Sequence, residues 1–180
     1  MRKHLLWFVL GGAACASSRP VADTGTTTSR TIQVYGVPGK LTVSSASNPV
    51  TSRLDFTVDE VWRVLPAVFD SLGVKVSMVD PKRHIIGAED LKVRVQLGRT
   101  PMSRYIDCGQ TQIGQNADSY ELRLTVLAQV QAVAPGGSLL STTLDAAAKP
   151  ITFSQDYSRC SSKGLFESRL VEAVKKALQR

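Results

Sequence analysis

The 180-residue sequence predicts an α+β fold, a curved antiparallel sheet with two helices over one face. Three observations predict it. Apolar residues recur with a helical period near residue 60 and again at the C terminus. Between those segments they alternate with polar residues, as in strands with one dry and one wet face. Clusters of turn-forming residues separate the alternating runs.

Taken in order, Ile32-Gln33-Val34-Tyr35 and Lys40-Leu41-Thr42-Val43 flank the turn composition Gly36-Val37-Pro38-Gly39. They predict a hairpin or one interrupted edge strand. Thr57-Val58-Asp59-Glu60 is a capping box, in which the threonine accepts from the N3 amide and Glu60 reaches back. Val58, Val61, Trp62, Leu65, Val68, Phe69 and Leu72 then form one helical face, with Gly73 as the stop. Pro66 lies inside this helix, and because the apolar phase survives it a bend is expected, not a break.

Val74, Val76 and Met78 alternate with polar residues, and Asp80-Pro81-Lys82-Arg83 turns the chain into His84–Ala88. Leu91, Val93, Val95 and Leu97 predict a further half-buried strand. A short strand within loops is expected around Tyr105–Gly109. Tyr120, Leu122, Leu124, Val126, Ala128, Val130 and Ala132 share one side of a long strand. Pro135-Gly136-Gly137-Ser138 turns it back into a second arm over Leu139–Ala148. The closing helix, capped by Ser161 or Ser162, carries Phe166, Leu170, Val174, Ala177 and Leu178 on one face. Lys175, Lys176 and Arg180 suit the negative end of its dipole.

The first sixteen residues have a different character. Met1-Arg2-Lys3-His4 is positive, Leu5–Leu10 is unbroken apolar, and Gly11-Gly12-Ala13-Ala14-Cys15-Ala16 is small. That is the layout of a secretory signal peptide, and its uncharged stretch is far short of the roughly 20 residues a spanning helix needs. Ala13-Ala14-Cys15 resembles the lipobox of bacterial lipoprotein signals, with Gly12 where leucine is usual. The resemblance implies cleavage after residue 14 and a diacylglyceryl group on the Cys15 thiol, hence a lipid-anchored envelope protein. Ala16 after the cysteine implies the outer membrane, facing the periplasm. Cleavage after Ala16 by ordinary signal peptidase, giving a secreted or soluble periplasmic protein, is the alternative. Ser17–Arg30 is polar and repetitive, ending in Thr26-Thr27-Thr28-Ser29, and reads as a tether. The expected organisation is a leader over 1–14, a tether over 15–31 and one domain over 32–180.

Export settles the odd number of cysteines. Cys15 is lipidated or discarded, which leaves Cys108 and Cys160 to pair in an oxidising compartment. A catalytic cysteine is the alternative, and it would have to draw its base from His84, the one histidine left after the leader. A three-histidine zinc site cannot be built on that inventory, and no metal or cofactor is expected. Neither glycine-rich phosphate loop nor G-x-S-x-G motif occurs. Asp59/Glu60 and Glu89/Asp90 are adjacent carboxylates, and Glu60 already serves the cap, so acid–base catalysis has no support. The expectation is a non-enzyme, with His84 a solvated turn residue.

Formal charge is +7, from 22 basic and 15 acidic side chains. Without Arg2 and Lys3 it is 20 against 15, or +5, too mild for a nucleic-acid binder. Lys92, Arg94 and Arg123 fall on wet strand faces, with Arg99 and Arg104 near in sequence. They are either a solvated surface or a contact for anionic head groups or an acidic partner.

The order of elements after a cysteine-terminated signal and a polar tether resembles the helix-grip domains of small lipoprotein subunits of the outer-membrane barrel-assembly machine. The resemblance covers roughly residues 50–180 and rests on no diagnostic motif. The anchor, the tether, the cysteine bridge and the missing catalytic groups together predict a lipid-anchored module that docks on an envelope protein in an assembly or structural role. The alternative is a carrier holding a lipid or other apolar ligand between sheet and C-terminal helix, where small Ala128 and Ala132 leave room.

Overall fold

The computed structural model describes residues 29–32, 41–44, 49–152 and 154–179. The expected leader over 1–14, Cys15 and most of the stretch expected to be a tether lie outside the described residues. Strands β1 (Ser29–Ile32) and β2 (Leu41–Ser44) pair antiparallel, with Ile32 opposite Leu41, so the hairpin alternative holds with both strands shifted by a few residues.

The body begins with β3 (Val50–Leu54), which the sequence reading did not anticipate. Helix α1 (Val58–Ser71) follows, with both halves of the capping box formed. Glu60 N–H donates to Thr57 Oγ1 at 3.4 Å, and Thr57 N–H donates to Glu60 Oε2 at 2.8 Å. The Thr57 amide and hydroxyl hold the Glu60 carboxyl below its ordinary pKa. Thr57→Ala is expected to lower stability by about 1 kcal/mol in urea titration, with no change in the steepness of unfolding.

The helix runs unbroken through Pro66. It ends as Gly73 was expected to end it: Gly73 N–H bonds to Asp70 O and Val74 N–H to Phe69 O, both at 2.9 Å, the Schellman pair. Gly73 takes φ 80°, and a Cβ there would meet Gly98 N at 2.7 Å, so only glycine lets these two backbones touch.

The next strands are β4 (Met78–Asp80) and β5 (Ile85–Arg94). The turn between them forms as expected, Asp80 Oδ1 accepting from the Lys82 and Arg83 amides. Two expectations need correcting here. The runs at 84–88 and 91–97 are one ten-residue strand up to Arg94. Val95 does not continue the dry face: it takes φ 65° and is 53% exposed. The chain reverses at that point into β6 (Gln96–Leu97) and β7 (Thr100–Pro101), and the alternation ends with the strand.

Single-turn helices α2 (Met102–Tyr105) and α3 (Asn116–Ser119) bracket β8 (Ile106–Asp107), β9 (Gln110–Thr111) and β10 (Gly114–Gln115). The long hairpin β11 (Glu121–Val133) and β12 (Gly137–Lys149) pairs over its whole length, from Glu121 opposite Lys149 to Val133 opposite Gly137. After it come β13 (Ser158–Ser162) and α4 (Leu165–Leu178).

Cys160 therefore sits inside β13. The helix N-cap is Gly164, in the left-handed region at φ 75°. Ser162 acts from two residues away, its hydroxyl accepting from Gly164 N–H and donating to Glu167.

The large sheet orders its strands β4-β5-β11-β12-β13-β8, with β3 beside β12. All its pairings are antiparallel, which makes this an α+β fold. Helices α1 and α4 pack on each other and on one sheet face. Val61, Leu65, Phe69, Phe166, Leu170 and Val174 from the helices meet Leu122, Leu124, Leu140 and Leu144 from the sheet, all 1% exposed or less.

Candidate functional site

Among the described residues, the sheet face opposite α1 and α4 is left uncovered by helices. Period-2 geometry places Lys92 and Arg94 of β5, Glu121 and Arg123 of β11, and Lys149 of β12 on it. Register then decides which of them meet. Lys92 lies opposite Arg123, Arg94 opposite Glu121, and Glu121 opposite Lys149. The three cations read from the sequence are thus adjacent on one end of the face.

They are not a bare positive patch. Arg123 Nη1 pairs with Asp90 at 3.2 Å, and Lys149 Nζ with Glu121 at 3.5 Å. Tyr157, from the stretch between β12 and β13, folds back over both cations. The Arg123 guanidinium carbon and Lys149 Nζ each lie 4.9 Å from its ring centroid. Its hydroxyl donates to Glu121. That bond, with the Lys149 charge, holds the Glu121 carboxyl below its usual pKa. Alongside, burial raises the pKa of Asp145 against the opposing pull of Arg159.

Tyr157, Lys149 and Glu121 were missed as site residues. Tyr157 stands between two strands where no periodicity applies, and its contacts with Glu121 span 36 residues.

The other end of the same face is dry. Met78, Ile85 and Leu127 are 3%, 4% and 6% exposed although they point away from the helices. Gly87 makes this possible: Leu127 leans across it, with Cδ2 3.0 Å from where a Cβ would stand.

Cys108 and Cys160 are joined, Sγ to Sγ at 2.05 Å. The bridge continues the β8–β13 ladder, in which Asp107 faces Ser161, and clamps the loop after β8 to the sheet edge. His84 is half-buried and not fully solvated, its ring meeting Trp62 edge-on at 5.4 Å between centroids. Trp62 itself is half-buried at the core margin.

Ala128 is buried as expected, but Ala132, next to the end of β11 at Val133, is exposed. It lines an open cleft of about 450 Å³ with Thr57, Val58, Asp59, Val133 and Ala134. Among the described residues no three His, Cys, Asp or Glu side chains group as metal ligands do. No helix among them is long and apolar enough to cross a membrane. No family model matches the chain, and no curated protein matches it in sequence.

Proposed function

We propose that this chain is a non-catalytic cell-envelope lipoprotein, anchored through Cys15, whose domain docks on an envelope protein partner through the open sheet face. The observation that carries the reading is the Tyr157 cluster, an aromatic ring against both Arg123 and Lys149 with its hydroxyl on Glu121. Tyrosine and arginine are enriched among the few residues that carry most of the binding energy where proteins meet. Here Arg123 stands on β11 and Tyr157 is tied to Glu121 of the same strand before any partner arrives, so less side-chain entropy remains to be lost on docking.

The space beneath the helices supports docking over carriage of a ligand. Phe69 and Phe166 are fully buried there among Leu65, Leu122, Leu124 and Leu170. The cations beside the cluster, Lys92 and Arg94, suit a partner surface of net negative charge.

Arg123→Glu with Tyr157→Ala, two changes on the open face, is expected to leave the thermal midpoint within a few degrees of the parent. The same pair should abolish recovery of the partner by affinity capture from detergent-solubilised membranes. Equal recovery by parent and variant would remove the open face from the account. Intact mass of the isolated protein checks the anchor, through the cleavage site and the acyl chains on Cys15.

A further inference from the structure

Helix α4 carries a cation with no anion beside it. Arg169 is half-buried, yet it makes no ion pair among the described residues. Its partners are two neutral hydroxyls: Nη1 donates to Thr100 Oγ1 at 2.5 Å and to Tyr105 Oη at 2.8 Å. What the cluster offers beyond those bonds is donors. The N–H groups on Nη2 and Nε of Arg169 meet no acceptor among the described residues. A guanidinium cannot accept, so each hydroxyl must turn its own proton elsewhere. Neither proton finds an acceptor among the described residues, and Tyr105 is only 2% exposed. Buried donors left open are costly, and one ligand made only of acceptors would satisfy them together.

The parts are held in advance. The Tyr105 ring packs edge-on against Phe166, 5.8 Å between centroids, and the Arg169 guanidinium lies over it at 5.5 Å. Thr100 comes from the β6–β7 reversal, which Val95 opens at φ 65° and Met102 N–H closes on Val95 O at 2.8 Å. Within that reversal Gly98 lies against the backbone of Leu72 and Gly73. A valine in the left-handed region costs about 1–2 kcal/mol, and such strain gathers where a site is shaped.

Exposed Arg99 and Arg104 immediately precede Thr100 and Tyr105. Of the acids near these elements, Asp118 takes the Ser103 amide and Glu167 the Ser162 hydroxyl. Asp70 and Glu172 are exposed and pair with none of the three arginines. Unlike the cations Arg123 and Lys149 of the open face, Arg169 therefore has no carboxylate within ion-pair reach.

We infer that Arg169, Thr100 and Tyr105 form a binding site for a phosphate group, with Arg99 and Arg104 matching its second negative charge. A carboxylate is satisfied by a guanidinium fork in one plane, whereas a tetrahedral phosphate keeps oxygens for the two hydroxyls. The site shares no residue with the open sheet face, so it stands or falls apart from the docking reading.

Equilibrium dialysis of the full chain in detergent against radiolabelled inorganic phosphate tests the site. One saturable site is expected. Tyr105→Phe keeps the ring and removes the hydroxyl, and should weaken binding about tenfold. Arg169→Gln should abolish binding, and Arg123→Glu should leave it unchanged. Thermal midpoints report whether each variant is folded, and Tyr105→Phe decides the matter where Arg169→Gln does not fold. Competition by glycerol 3-phosphate and by unlabelled phosphate separates a lipid head group from the free ion, the tighter competitor naming the source. Absence of saturable binding overturns the inference. So does displacement by acetate as effective as by phosphate, or binding indifferent to Tyr105→Phe.

Discussion

Cys108→Ser with Cys160→Ala is expected to lower unfolding free energy by about 4 kcal/mol, from closure of a loop spanning 52 residues. That is a large share of the roughly 5–15 kcal/mol a domain of this size commands. The cost falls locally too. β8 is two residues long and holds the sheet edge by pairing Ile106 with Ser162 and Asp107 with Ser161. Without the bridge, hydrogen exchange is expected to rise first over residues 106–116, before α1 or the long hairpin opens. Urea titration of the parent, of the parent reduced with dithiothreitol, and of the double variant checks the magnitude. Reduced parent and variant should coincide. A difference below about 1 kcal/mol between oxidised and reduced parent would overturn the stabilising role given to the bridge.

Gly87→Ala is expected to cost about 3 kcal/mol or more. Gly87 lies in β5 opposite Leu127, next to the register shift between Leu124 and Val126. A Cβ there would lie 2.0 Å from Val126 O, which is backbone in the centre of the sheet and cannot swing aside. Alanine must therefore part β5 from β11 or displace Leu127, whose Cδ2 lies 3.0 Å from the added Cβ. Gly136→Ala is the control. Gly136 has φ 70° and open space around it, so the change should cost only the left-handed penalty of about 1–2 kcal/mol. Thermal denaturation of both variants, with near-ultraviolet circular dichroism to report packing, separates the two causes. Equal midpoints would show that the close approach at Gly87 relaxes freely.

Both helices and the long hairpin were legible because their signals are local. The capping box and the 3.6-period face of α1 lie within sixteen residues, and Gly73 closes the helix with hydrogen bonds to neighbours. The face of α4 was equally clear, whereas its N-cap was placed on a serine when Gly164 holds it. Val95 looked like the next step of a strand because period-2 counting cannot see a reversal at φ 65°. β3 and β13 were missed because each is five residues long and finds its place only along the outer side of β12. Of the site, Lys92, Arg94 and Arg123 were found by alternation. Tyr157, Lys149 and Glu121 were not, since nothing near them in the chain announces their meeting.

The sequence alone determined one dry sheet face, two helices to cover it and a pair of cysteines to join, because burial of an apolar face follows from spacing along the chain. Tertiary structure alone decided where Tyr157 lies and why residue 87 is glycine. Those depend on strand register and on close approach between segments distant in sequence. Register is settled by the burial of the whole sheet at once, not by any short stretch of residues.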